Sequence, residues 1–216
     1  DPKEFNLRLA LRIKAAGIPA VQYVSPQIWA WRQGRVRTID RAVDLVLCLL
    51  PFEKQFYDAH SVPAEFVGHP LADRTPLHLD AAAARTQLGL PEGRYIALLP
   101  GSRLGEVSRL APDFARTVAW LGARREALRF VAAVATPRVR AALENALAAE
   151  GGRGRVALVD GHAQQVMAAS EVVLLASGTA TLEALLVKRP MDVAYRLGAL
   201  TSLLLMHLKL FKAPFF

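Results

Sequence analysis

Tyr95-Ile96-Ala97-Leu98-Leu99, followed at once by Pro100-Gly101-Ser102-Arg103, is the stretch on which the fold turns. An apolar run this short, closed by a Pro-Gly turn, reads as a strand buried on both faces. The spacing of apolar residues then becomes helical over Glu106 to Arg124, and the same alternation repeats along the chain. Strands are expected at Arg129 to Ala135, Arg155 to Val159, Val172 to Leu175 and Met191 to Tyr195. Helices are expected at Pro137 to Ala149, with Thr136 as N-cap and Pro137 in the first turn, at Gln164 to Ala169 and at Ala180 to Val187. Strands and helices alternating in this way predict an α/β fold, a parallel sheet covered by helices on both faces. Ligands of such sheets bind outside the carboxyl ends of the strands.

Toward the N-terminus the pattern is shorter but of the same kind. Phe5 to Ala16 has helical spacing and Gly17 stands at its stop, Pro19 to Val24 reads as a strand, Arg35 to Ala42 as a helix, and Val43 to Leu49 as a second buried strand closed by Pro51. Glu53 to Ala59 is expected to be helical and Glu65 to Val67 a short strand. Between the first of these strands and the helix from Arg35, Val24 to Arg32 reads as a tryptophan-bearing loop. From Gly68 to Arg94 the pattern weakens under Pro70, Pro76 and Pro91, with a short Ala-rich helix at Ala81 to Leu88. The expected division is therefore a first domain over residues 1–75, a linker over 76–94 and a second domain over 95–216.

The chain of 216 residues is 53% apolar, enough for a sizeable core, and its 27 Lys and Arg against 19 Asp and Glu leave a net charge of +8. That balance favours anionic partners. The single cysteine, Cys48, lies in an apolar run, which excludes an intramolecular disulfide or a thiolate metal cluster and points to a reducing compartment. The chain begins with Asp1 rather than Met and shows no secretory signal at its start, so it reads as a piece of something longer. Leu197 to Phe216 is strongly apolar, but His207, Lys209 and Lys212 interrupt it, and a helix lying on a membrane surface fits it better than a spanning one.

Three strand exits carry the candidate chemistry. At Pro100-Gly101-Ser102-Arg103 glycine permits close backbone approach and arginine can fork onto a phosphate; alone, this exit reads equally as a surface turn. Ser177-Gly178-Thr179 opens a helix, and the N–H groups there, two hydroxyls and the helix dipole form a phosphate cradle. Glu183, one turn further along, is placed for ribose hydroxyls; the other reading is a capped helix with a solvated acid. Asp160-Gly161-His162 offers a turn whose backbone could meet a flat base, and His162 is given no chemistry. No Asp-x-Asp pair, P-loop or Cys/His set with metal spacing occurs, so phosphate charge would be balanced by Arg103 and helix dipoles, with no metal and no cofactor. Two facing α/β domains closing on a sugar nucleotide fit this set. Trp29, Trp31 and Arg32 could line an acceptor cleft, meet a membrane interface or anchor a core, and the basic run Arg32, Arg35, Arg37, Arg41 could reach acidic head groups.

Taken together, these segments resemble the lipid-A-disaccharide synthase family over nearly the whole chain. The resemblance rests on Tyr23-Val24-Ser25-Pro26 with Trp29-Ala30-Trp31-Arg32, Leu50-Pro51-Phe52-Glu53, Gly68-His69-Pro70, Leu98 to Arg103 with Glu106, Leu175 to Ala180, and Pro190 with Tyr195-Arg196. It implies a GT-B glycosyltransferase of two Rossmann-like domains, the first incomplete here. Such an enzyme joins UDP-2,3-diacylglucosamine to 2,3-diacylglucosamine 1-phosphate (lipid X) and releases UDP, working as a peripheral protein on the cytoplasmic face of the bacterial inner membrane. Asp1, with Phe5-Asn6, falls on the family's Asp-x-x-x-Phe-Asn motif and is thereby the candidate general base, although Pro2-Lys3-Glu4 departs from the usual intervening residues. The resemblance further implies that segments completing the donor site and an intertwined homodimer lie outside this chain, which alone is expected to be inactive.

Other readings differ in testable ways. Another GT-B-type UDP-sugar enzyme, a peptidoglycan glycosyltransferase or a UDP-N-acetylglucosamine epimerase, would share the cradle and glutamate but has no need of the Trp-Ala-Trp-Arg loop. A basic protein that binds nucleic acid, or one that only coats a membrane surface, would leave the three strand exits without a role. Spread basic residues and 7% aromatic content speak against nucleic acid as a partner.

Overall fold

A computed structural model describes residues 2–196, with the side chains of residues 2–4 and 31 outside the description. Asp1 and the apolar segment 197–216 also lie outside the described residues. The chain divides into two compact units, the first up to Asp73 and the second from Arg74. The expected linker over 76–94 falls within the second unit.

In the first unit α1 (Pro2–Ala15), β1 (Val21–Tyr23), α2 (Ile28–Trp31), α3 (Val36–Ala42), β2 (Leu45–Cys48), α4 (Pro51–Asp58), β3 (Ala64–Phe66) and α5 (Pro70–Arg74) follow in order. β1, β2 and β3 make a parallel sheet in that order. Val46, Cys48 and Ala64 point to one face of it and are buried with Leu7 of α1, Ile39 of α3 and Tyr57 of α4. Burial pushes the Cys48 thiol up to about 11, as expected of a core cysteine. The Tyr57 hydroxyl, pushed up to about 12 by the same cause, shares a hydrogen bond of 3.1 Å with the buried Ser25 hydroxyl. The stretch expected to be a loop at Val24 to Arg32 instead contains the single helical turn of α2, followed by a 3-10 turn at Gln33–Arg35. Pro26 and the burial of Ile28 set that turn: the Pro26 carbonyl accepts the Ile28 N–H at 2.6 Å.

The second unit contains α6 (Ala81–Gln87), β4 (Arg94–Leu99), α7 (Leu104–Arg124), β5 (Leu128–Val134), α8 (Pro137–Ala149), β6 (Val156–Asp160), α9 (Ala163–Ala168), β7 (Val172–Ala176), α10 (Thr179–Leu186) and β8 (Met191–Ala194). Its five strands are all parallel in the order β6-β5-β4-β7-β8, so the sheet grows outward in both directions from its first strand. Alternation along each strand feeds two cores. Leu98, Phe130, Ala132 and Val134 pack under α7 and α8 with Phe114, Val118 and Leu143, while Tyr95, Ala97, Leu99, Val131 and Leu175 pack on the other face with Val166, Met167 and Ala184. Ala84 of α6 joins that second core, which ties the segment 76–94 to this unit rather than leaving it a free connector. Asp80 caps α6 by accepting from Ala82 N at 2.8 Å, and Thr136 caps α8 by accepting from Val139 N at 3.3 Å. Among the described residues no helix is long and apolar enough to cross a membrane.

Candidate functional site

Because β4 has β5 on one side and β7 on the other, the loops leaving these strands diverge, and a crevice opens between them at the carboxyl end of the sheet. A cavity of about 300 Å3 lies there, lined by residues from four strand exits. Gly101 and Ser102 come from the exit of β4, Val134 and Ala135 from β5, Gly161 and His162 from β6, and Ser177, Gly178, Thr179 and Glu183 from β7 and α10. Eight of these are the candidate residues of the three strand exits, and the fold brings them to one place.

Each loop has a local reason for its shape. Gly101 takes φ 121°, a backbone conformation that L side chains rarely adopt, and a Cβ there would press on Glu106, 3.0 Å from its Oε2 and 3.2 Å from its Cβ. Gly161 donates its N–H to Val134 O at 2.8 Å, and His162 then adopts the left-handed region (φ 50°, ψ 34°) as N-cap of α9. Gly178, N-cap of α10, has φ 154° and ψ −154°, a region essentially reserved for glycine. The Ser177 N–H is spent on Ala194 O at 3.0 Å. Thr181 turns its hydroxyl back onto Gly178 O at 2.6 Å, so it adds no hydroxyl to the cradle. The N–H groups of Gly178, Thr179 and Ala180, which precede the first intrahelical bonds, are the ones the helix can offer to an anion. Glu183 follows one turn later, half-buried, on the same lining.

Arg103 stands elsewhere. It is the N-cap of α7, its side chain is 82% exposed, and its Nη1 donates to Glu106 Oε1 at 3.0 Å, outside the cavity lining. Glu106, quoted from the sequence without a role, lines the cavity and occupies the guanidinium instead. Their i, i+3 spacing on a helix was the signal for that pairing. In the first unit Trp29 packs edge-on against Phe52, ring centroids 4.7 Å apart at 79°, and its indole N–H is buried without a partner among the described residues. Arg32 is exposed; the Trp31 side chain and Asp1 lie outside the described residues.

Chemically, the cavity combines a dipole-assisted N–H cradle for phosphate, a carboxylate suited to a pair of sugar hydroxyls, and a backbone turn that can face a planar base. Solved structures with this fold include the S. aureus MnaA-UDP co-structure, at TM-score 0.58 and 14% identity over 86% of this chain and 53% of that one. They also include UDP-GlcNAc 2-epimerase from Neisseria meningitidis bound to UDP-GlcNAc, at TM-score 0.57 and 14% identity over 87% of this chain and 56% of that one. At such identity the likeness shows the fold alone. Sequence relatives are far nearer. Lipid-A-disaccharide synthase of Alkalilimnicola ehrlichii is 58% identical over 96% of this chain and 55% of its own length. That of Hahella chejuensis is 53% identical over 93% and 51%, and that of Pseudomonas fluorescens 53% over 100% and 56%. The chain thus spans about half the length of the curated relatives it matches. The family model described as lipid-A-disaccharide synthetase matches residues 1–215. A match from end to end, joined to identities above one half, establishes that the chain belongs to the lipid-A-disaccharide synthetase family.

Proposed function

We propose that the protein is a hexosyltransferase that joins UDP-2,3-diacylglucosamine to the 6-hydroxyl of 2,3-diacylglucosamine 1-phosphate, with inversion and without a divalent metal. The observation that carries this reading is the gathering of Gly101, Ser102, Gly161, His162, Ser177, Gly178, Thr179 and Glu183 round one crevice in a chain of this family. UDP occupies that cavity: the base against Gly161 and His162, the ribose on Glu183, the diphosphate on the N–H groups at the start of α10. Asp1 takes the proton of the acceptor hydroxyl while its oxygen bonds to the anomeric carbon and the bond to UDP breaks. The charge left on the diphosphate falls on the α10 cradle and on Arg103, which changes rotamer and exchanges Glu106 for the phosphate. The first unit is the acceptor side, with Trp29, Trp31 and Arg32 toward the lipid. The working enzyme sits peripherally on the cytoplasmic face of the bacterial inner membrane, as a homodimer.

The test is calorimetric titration of UDP in EDTA, with Arg103→Ala and Glu183→Ala beside the parent chain. Saturable binding is expected, weakened at least about tenfold by each change, the scale of one lost charge-assisted contact. A folded chain that takes no UDP, or affinity indifferent to both substitutions, would refute the donor-site assignment.

A further inference from the structure

A second, smaller recess of about 160 Å3 adjoins the first cavity on the α7 side, and its lining includes Glu106, Arg109, Ser177, Tyr195 and Arg196. Ser177 and Glu106 belong to both, so the two hollows share a wall. The charges around the second are arranged differently from those around the first. Arg196 is anchored: its Nη1 donates to Asp113 Oδ2 at 2.9 Å, and the same carboxylate also takes Arg116. Arg109, one turn before Asp113 on α7, meets no carboxylate among the described residues. Glu106, on the shared wall, is paired with Arg103 at 3.0 Å. The recess therefore presents two guanidinium groups from different elements, one braced and one uncommitted, together with the hydroxyls of Ser177 and Tyr195. All of them can donate hydrogen bonds. Guanidinium pairs with hydroxyls suit a compact, doubly charged oxyanion, and the volume is about half that of the first cavity, too small for a nucleotide.

We infer that Arg109 and Arg196 form a subsite for a phosphate monoester carried by the second substrate, beside the diphosphate cradle and separated from it by Ser177 and Glu106. This rests on the proposed donor site for its neighbour but not for its chemistry. A diphosphate on the α10 cradle has its own N–H donors, and Ser177 and Glu106 form the wall between the two hollows. Binding the phosphate here would set the far end of the acceptor and so favour a phosphorylated sugar over its dephosphorylated counterpart.

The test uses glucosamine 1-phosphate, a soluble phosphate monoester, titrated by calorimetry into the chain saturated with UDP and into the chain without it. Binding is expected, glucosamine itself giving none. Arg109→Ala and Arg196→Ala should each weaken it at least about tenfold, with Arg109→Lys recovering part, while UDP affinity stays unchanged. Absence of glucosamine 1-phosphate binding to both forms would overturn the proposal. So would the reverse pattern, in which the variants lose UDP but keep glucosamine 1-phosphate, because the recess would then hold the second phosphate of the donor. Should UDP itself fail to bind, the titration of the unloaded chain still decides the subsite, so the two readings fail separately. Circular dichroism of each variant checks the fold; Arg109 is exposed on α7, where alanine is a good helix former.

Discussion

Gly178 holds φ 154° and ψ −154° at the point where β7 hands over to α10, although nothing lies within 4 Å of where its Cβ would be. The constraint is therefore in the backbone and not in crowding. Gly178→Ala should cost the second unit about 1–3 kcal/mol, the usual range for a side chain forced into such a region, read as a shift of the urea midpoint. It should weaken UDP binding as well, because relaxing the strain re-aims the N–H groups at the start of α10. Ser177→Ala, whose backbone N–H stays on Ala194 O, should leave the midpoint nearly unchanged. At this scale the sequence was readable wherever a residue's place follows from a strand end: Gly101, Ser102, Gly161, His162, Ser177, Gly178 and Thr179 all stand just past one. Arg103 obeys the same logic as far as its Cα. The direction of its long side chain depends on which partner is nearest, and Glu106 wins in the absence of ligand.

Among the elements, α4 is the one whose start is most narrowly specified. Pro51 occupies its first turn, and the Glu53 carboxylate, 5% exposed, accepts from the N–H groups of Leu49 at 3.1 Å and Leu50 at 3.0 Å. Glu53→Ala strands two backbone donors and should lower the stability of the first unit by about 1–3 kcal/mol. Trp29, packed on Phe52 of the same helix, gives a fluorescence signal for that loss. The helix expected from Glu53 starts two residues earlier, because a proline that can close a strand is equally suited to the first position of a helix. The longer elements of the second unit were placed to within a residue or two. α2 and α5, of four and five residues, are too short to show helical spacing, and what forms them is a proline-bounded turn rather than a periodic face.

At the scale of the molecule, one carboxylate in each unit is held below its ordinary range among the described residues, and the two contribute to the response to acid. Asp44 is held below its ordinary range by the Ala20 N–H, 2.8 Å away, and by Lys14, while Glu171 is held down by its two-pronged contact with Arg94. In both cases the folded form is the stronger acid. Their contribution is thus complete above about pH 5 and is lost as pH falls through the folded values. Urea midpoints measured at pH 7 and pH 3 should show a smaller difference for Asp44→Asn in the first unit and for Glu171→Gln in the second, each without effect on the other's. That two α/β layers exist was evident from the alternation of short apolar runs with helices. Where one ends and the next begins was harder to read, because Leu79, Ala84, Leu88 and Leu90 fill a core whose other wall is made of α9 and β7, far downstream.

The strand order of the second unit also bears on how the protein is made. β4 is synthesised first yet lies at the centre, and β5 and β6 extend the sheet from one of its edges only. Its other edge stays open until Val172 and the rest of β7 have left the ribosome. Throughout that interval the nascent chain carries a row of apolar side chains beside unpaired backbone groups, the kind of surface that trigger-type chaperones shield and that neighbouring polypeptides on a crowded polysome can capture.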